Sequence, residues 1–199
     1  MRIILASGSP RRRELMDLMG LPYEVMVSDV DETMSGPPLE QVRELPLRKA
    51  YAVIEMLKKE GTQAQTLVIA ADTIVYLDGQ VLNKPADAKE ATAMLRLLSG
   101  RRHTVYTGVA IINIENDQSY VFSSVTDVFF KALSEEMIHW YVASGDAFDK
   151  AGGYGIQGKG ALLVDRIDGD FYTVMGFPIA NVCEALQEMG VDVFGKKSV

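Results

Sequence analysis

The run Leu67-Val68-Ile69-Ala70-Ala71-Asp72-Thr73-Ile74-Val75-Tyr76-Leu77 places two polar residues in the middle of the most apolar stretch of the chain. Aliphatic and β-branched residues over this length predict a central strand from Thr66 to Leu77, so the fold must be built on a sheet. An ionised Asp72 in such a strand has to be paired, metal-bound or neutralised. At a strand end facing a cleft, it is a reasonable general base or metal ligand.

The N-terminus carries the second constraint. Residues 2–6 read as a short apolar strand that enters Ser7-Gly8-Ser9-Pro10-Arg11-Arg12-Arg13 directly. Ser9 suits a helix N-cap and Pro10 the first helical position, with Gly20 as the stop after Met19. Three arginines then stand at the positive end of the helix dipole, where each costs roughly 0.3–1 kcal/mol. A phosphate accepting from the backbone N–H groups and the guanidinium forks would reverse that cost. A solvated basic turn is the plain alternative.

Further along, Tyr23–Val27 reads as a second strand, followed by an acidic loop with Asp29, Asp31 and Glu32. The loop is either solvated or a magnesium-type site, and Asp31 and Glu32 are equal candidates within it. Leu39–Glu44 predicts a short helix interrupted at Pro46, which then opens a second helix. There Ala50, Val53, Ile54 and Leu57 form one apolar face, with Lys49 beside it, either snorkelling or pointing into a cleft. Asp78-Gly79 predicts a hairpin turn, Lys84 an extended position before Pro85, and Asp87 the cap of a helix over 88–98. His103–Ile114 and Gln118–Phe130 predict a β-hairpin, and Ser134 caps a helix ending near Ser144.

Residues 146–160 form a glycine-rich loop containing Asp149, Lys150 and Gln157. Its formal G-x-G-x-x-G is no dinucleotide fingerprint, because a strand (Ala161–Ile167) is expected where that motif requires a helix. Asp170–Met175 reads as a return strand, and Ile179, Val182, Cys183 and Leu186 as the buried stripe of a last helix. The tail over 194–199 is expected to fray. The mixture of helices, parallel candidates and a central hairpin predicts an α/β chain around a mixed, elongated sheet.

Composition narrows the function. The 199 residues are 48% hydrophobic, and the net charge of −7 argues against binding to a nucleic-acid duplex, which needs a broad basic face. No apolar run approaches the roughly eighteen residues of a membrane span, and the first strand leaves no room for a signal peptide, so a cytoplasmic location is expected. One cysteine and two histidines offer no zinc constellation. A nucleoside triphosphate with a divalent cation, Mg²⁺ or Mn²⁺, accounts together for the basic helix start, the acidic loop, Asp72, Lys49, Lys84 and the glycine loop.

Five motifs in this order, Ser7-Gly8-Ser9-Pro10-Arg11-Arg12, Ala71-Asp72-Thr73, Lys84-Pro85-x-Asp87, Asp149-Lys150-Ala151-Gly152-x-Tyr154-x-Ile156-Gln157-Gly158 and Gly176-x-Pro178, resemble the Maf, or septum-formation, family of nucleoside triphosphate pyrophosphatases. The resemblance spans nearly the whole chain, and Ile156-Gln157-Gly158 is similar to the dTTP/UTP branch as opposed to the 7-methyl-GTP branch. Phe177, Thr173 and Gly153 depart from the usual residues, which bears only on the shape of the base pocket. The resemblance implies one Maf-like domain of two lobes flanking a cleft, frequently a homodimer, that hydrolyses between the α- and β-phosphates with a divalent metal. It implies Asp72 as proton acceptor, with Arg11, Thr73 and Gln157 influencing substrate choice. Ser7, Ser9, Arg11, Arg12, Lys49 and Lys84 are then the phosphate-binding candidates, Glu32 and Asp72 the metal ligands, and Asp87, Asp149 and Lys150 further site residues. A nucleotide-binding regulator of cell division, with incidental hydrolysis, is the competing reading, and modified pyrimidine triphosphates are an alternative substrate class.

Overall fold

A computed structural model describes residues 1–61 and 65–195, so most of the tail expected to fray, 196–199, lies outside the described residues. The fold is mixed α/β, as expected. Strand β1 (Arg2–Leu5) lies between β2 (Glu24–Val25) and β3 (Thr66–Leu77), parallel to both, with Ile4 opposite Glu24 on one side and Val68 on the other. Strand β4 (Gln80–Leu82) returns antiparallel on β3 through Asp78-Gly79, both at positive φ. Next to β3 come β5 (Arg102–Asn113), β6 (Ser119–Phe130) and β7 (Val164–Asp168), the last antiparallel to β6. The helices are α1 (Pro10–Leu18), α2 (Pro38–Lys59), α3 (Ala88–Leu98), α4 (Glu135–Ala143), α5 (Phe171–Met175) and α6 (Ile179–Glu188). The chain divides into two compact units. The first contains Met1–Asp72, Gly108–Ser123 and Gly176–Val199, the second Thr73–Thr107 and Ser124–Met175.

In the first unit the expected stripe of α2 is the seam of the core: Ala50, Val53, Ile54 and Leu57 pack with Ile4, Val68, Ala70 and Ile112. The expected break at Pro46 does not occur, and α2 runs unbroken through it for 22 residues. An internal proline costs about 3 kcal/mol because it lacks the N–H that the carbonyl four residues earlier requires. Burying Val53 and Leu57 completely returns about 1.5–3 kcal/mol each. The orphaned carbonyl, that of Val42, meets the backbone of Gly108, where a Cβ would stand 1.5 Å from the oxygen. Only glycine fits there.

Four other expectations are corrected. The second strand shrinks from Tyr23–Val27 to Glu24–Val25, and the Tyr23 hydroxyl ahead of it donates to Asp17 Oδ1 at 2.8 Å. Asp170–Met175 is helical over Phe171–Met175, because the Asp170 carboxylate accepts from the Thr173 N–H (2.7 Å) and caps the turn. Residues 158–162 form a 3₁₀ turn, so β7 starts at Val164 and not at Ala161. In α6 the buried line is Val182, Ala185 and Leu186, leaving Cys183 partly exposed.

The second unit has its own core, in which Ala91, Leu95 and Leu98 of α3 pack with Val105, Val128, Phe130, Ile138 and Tyr141. The Asp87 carboxylate caps α3 by accepting from the Glu90 N–H at 2.8 Å. His103, only 2% exposed, lies 2.7 Å from the Tyr154 hydroxyl and edge-on to Phe130. Burial pushes its imidazole down from about 6.5 to about 4, against a small opposing pull from Asp127, and pushes the Tyr154 phenol up. A buried neutral histidine makes the fold acid-sensitive. Between these two values the unfolded chain binds a proton that the folded chain refuses. The contribution is therefore fully present above pH ~6.5 and is lost as pH falls toward ~4, by roughly 3 kcal/mol in all. Urea unfolding at pH 7 and pH 4.5 is expected to show this loss in the wild type and a smaller one in His103→Leu.

Candidate active site

In the first unit, the end of β1 delivers the chain to the start of α1. Ala6 still bonds to the Ile69 carbonyl at 2.7 Å, and Ser7 follows, almost completely buried. The Ser7 Oγ accepts from the Ser9 N–H (3.3 Å) and from the Arg12 guanidinium (3.1 Å), whose Nε donates to the Gly176 carbonyl at 2.8 Å. Gly176-x-Pro178, far away in sequence, thus anchors the arginine of the first motif. Ser9 occupies the N-cap position with extended backbone, but its side chain makes no capping bond, and the first turn of α1 carries no acid. Arg12 keeps some accessible surface, yet loss of hydration lowers its pKa from the usual arginine value; Arg11 adds to the effect while Asp72 and Glu32 oppose it. The start of α1 therefore concentrates positive charge, with two carboxylates close enough to act on Arg12.

Those carboxylates meet on one cation. Lys49 Nζ, on a nearly buried side chain of α2, donates to Asp72 Oδ1 at 2.7 Å and pairs with Glu32 Oε1 at 2.8 Å. The lysine side chain is 11% exposed and turns inward onto the two carboxylates, so snorkelling does not describe it. Of the two adjacent loop acids, Glu32 is the one that reaches Lys49. Asp31 folds back to accept from the Thr33 N–H at 2.8 Å, and the bonds from Thr33 hold its carboxyl below the usual range.

In the second unit Lys84 is exposed ahead of the α3 cap, while Asp87 is committed to that cap. Lys150 Nζ donates to the Asp146 carbonyl and to the Asp149 carboxylate, so these two site candidates hold one another. The glycine loop is tightly determined. Gly152, at φ 70°, leaves no room for a Cβ against Val75, and the Gly155 N–H donates to the Tyr141 hydroxyl at 3.0 Å. Gln157 follows, partly accessible, at the start of a 3₁₀ turn.

The sequence reading missed a hydroxyl network. Thr73 Oγ1 is 3.0 Å from Thr107 Oγ1, Thr107 donates to the Thr173 carbonyl at 2.7 Å, and Thr173 Oγ1 lies 2.7 Å from Ser124 Oγ and 2.8 Å from Asp170 Oδ2. The available signal was Thr107-Gly108, a hydroxyl beside a glycine in an otherwise apolar strand.

The first unit thus sets an arginine-rich helix start near a lysine-held carboxylate on an α/β sheet. The chain belongs to the Maf family, since the family model described as Maf-like protein matches residues 2–189. It is 47% identical over 194 residues to a protein named dTTP/UTP pyrophosphatase in Bacillus cereus (strain AH820), covering 96% of this chain and 97% of that one. A protein of the same name in Bacillus anthracis is similar to the same extent. Among solved structures, a nucleoside-triphosphatase (dITP/XTP pyrophosphatase) of Mycobacterium abscessus aligns over 96% of this chain at 14% identity, with a TM-score of 0.44. Among the described residues, no helix is long and apolar enough to cross a membrane.

Proposed function

We propose that this chain is a nucleoside triphosphate pyrophosphatase that hydrolyses dTTP and UTP to the monophosphate and pyrophosphate. The observation that carries the chemistry is the Asp72–Lys49–Glu32 group, with Lys49 Nζ 2.7 Å from the Asp72 carboxylate. The pyrimidine reading is supported by full-length relatives named for dTTP and UTP. Water attacks the α-phosphorus, the bond to the bridging oxygen breaks, and pyrophosphate leaves. Asp72 takes the proton of the attacking water, while Ser7, Ser9, Arg11, Arg12 and Lys49, all of the first unit, hold phosphate oxygens. Such a reaction depends on positioning and charge neutralisation more than on covalent chemistry. Gln157 offers both a donor and an acceptor, matching a carbonyl and the N3–H of uracil or thymine. Discrimination through paired polar groups is the stronger way to reject a wrong base.

A divalent cation suits the donor set. Glu32 and Asp72 already converge on one positive charge, and magnesium is usually held by one or two carboxylates with substrate phosphate and water completing the shell. Among the described residues no trio of His, Cys, Asp or Glu comes together, so phosphate and water would complete the shell here as well. When bound, the ion supplies charge neutralisation on the phosphates and a more acidic water.

Incubation with Mg²⁺ and, separately, dTTP, UTP, CTP and GTP tests the reading by product analysis. Pyrophosphate together with dTMP or UMP, and little turnover of GTP, is the expected result. Release of single phosphates, or no turnover, overturns it.

A further inference from the structure

The hydroxyl network determines where the proton of Thr73 points. Thr107 is completely buried, and its oxygen contacts two others, the Thr173 carbonyl at 2.7 Å and Thr73 Oγ1 at 3.0 Å. A carbonyl only accepts, so the single proton of Thr107 is committed to Thr173. Two hydroxyl oxygens at 3.0 Å need a proton between them, and the remaining one belongs to Thr73. Thr73 is therefore the donor toward Thr107, whatever else it touches. It is also the point where β3, buried throughout the seven residues ending in Asp72, first becomes accessible.

We propose that Thr107 is a specificity-positioning residue: by holding the proton of Thr73, it leaves Thr73 Oγ1 able to meet a nucleotide only as an acceptor, and so selects nucleosides that offer a donor. This rests on the pyrimidine triphosphate reading and deepens it. Uracil and thymine carry N3–H, whereas cytosine presents a bare N3 acceptor, which a fixed acceptor repels. A sugar hydroxyl offers the same donor chemistry, and the two sources separate by substrate.

The test compares kcat/KM for UTP, CTP and 2′,3′-dideoxy-UTP in wild type, Thr107→Val and Thr107→Ser, with melting curves alongside. Valine removes the acceptor that orients Thr73, so its hydroxyl can rotate and donate. The preference for UTP over CTP is expected to fall about tenfold, the scale of one hydrogen bond, with serine retaining the wild-type preference. If the donor is on the sugar, the preference for UTP over the dideoxy substrate falls instead. Equal losses on all three substrates, or unchanged ratios, overturn the proposal and leave Thr107 a packing residue. Failure of the underlying reading looks different, because the wild type then releases no pyrophosphate from UTP. In that case the dissociation constants of non-hydrolysable α,β-imido UTP and CTP, measured on the same three proteins, give the same ratio and decide the matter.

Discussion

Asp72→Asn is expected to lower kcat for dTTP by about two to four orders of magnitude, the usual share of a general base, while nucleotide still binds. The substitution is nearly isosteric. Asparagine keeps an oxygen that accepts from Lys49 Nζ, and Lys49 keeps its contact with Glu32 at 2.8 Å, so the lysine stays in place. What is lost is the capacity to take a proton from water. Because the change acts on the transition state, kcat and kcat/KM should fall together with KM little altered. Steady-state kinetics, a binding isotherm for the non-hydrolysable dTTP analogue and a melting curve check the three parts. An undiminished rate in a folded, nucleotide-binding variant would mean that another group is the base.

Lys49→Met is expected to cost stability, and Asp72 is the reason. The Lys49 and Asp72 side chains are 11% and 12% exposed, so removing the cation strands a carboxylate where water reaches it poorly. Breaking a buried pair from one side typically costs about 3–5 kcal/mol. Glu32, 57% exposed, regains solvation and adds little. For a chain of this size, a loss of this order lowers the melting temperature by roughly 10 °C. The distinguishing measurement is a double-mutant cycle. With Asp72→Asn already present no charge is stranded, and Lys49→Met should then cost far less. Equal costs in both backgrounds would show that the lysine acts through packing of its stem and not through its charge.

Much of the architecture was legible because it is encoded locally. β3 runs from Thr66 to Leu77 as its composition predicts, α3 starts after Asp87 because that carboxylate reaches the N–H three residues on, and the β5–β6 hairpin follows from β-branched runs on either side of Glu115-Asn116-Asp117. The errors have identifiable causes. The helical turn after Asp170 is an Asp cap of the same kind, hidden by β-forming residues Phe171 to Val174, so a short-range hydrogen bond overrode propensity. Pro46 looked like a break because the features that make its helix tolerable, the core seam and the bare backbone of Gly108, lie elsewhere in the sequence.

The candidate site divides along the same line. The sequence by itself determined which residue types are present: the basic start of α1, one carboxylate inside an apolar strand, an acidic loop and a glycine loop, each recognisable because charge or glycine is costly in those settings. Only the tertiary structure decided their partners. It brings Lys49 to Asp72 across 23 positions, pairs Lys49 with Glu32 while Asp31 turns back to Thr33, ties Arg12 to Gly176 across 164 positions and sets the Thr73 hydroxyl 3.0 Å from that of Thr107. Hydrogen bonds and ion pairs act over about 3 Å, and contacts at that range between distant segments depend on how helices and strands pack, which short-range sequence patterns do not specify.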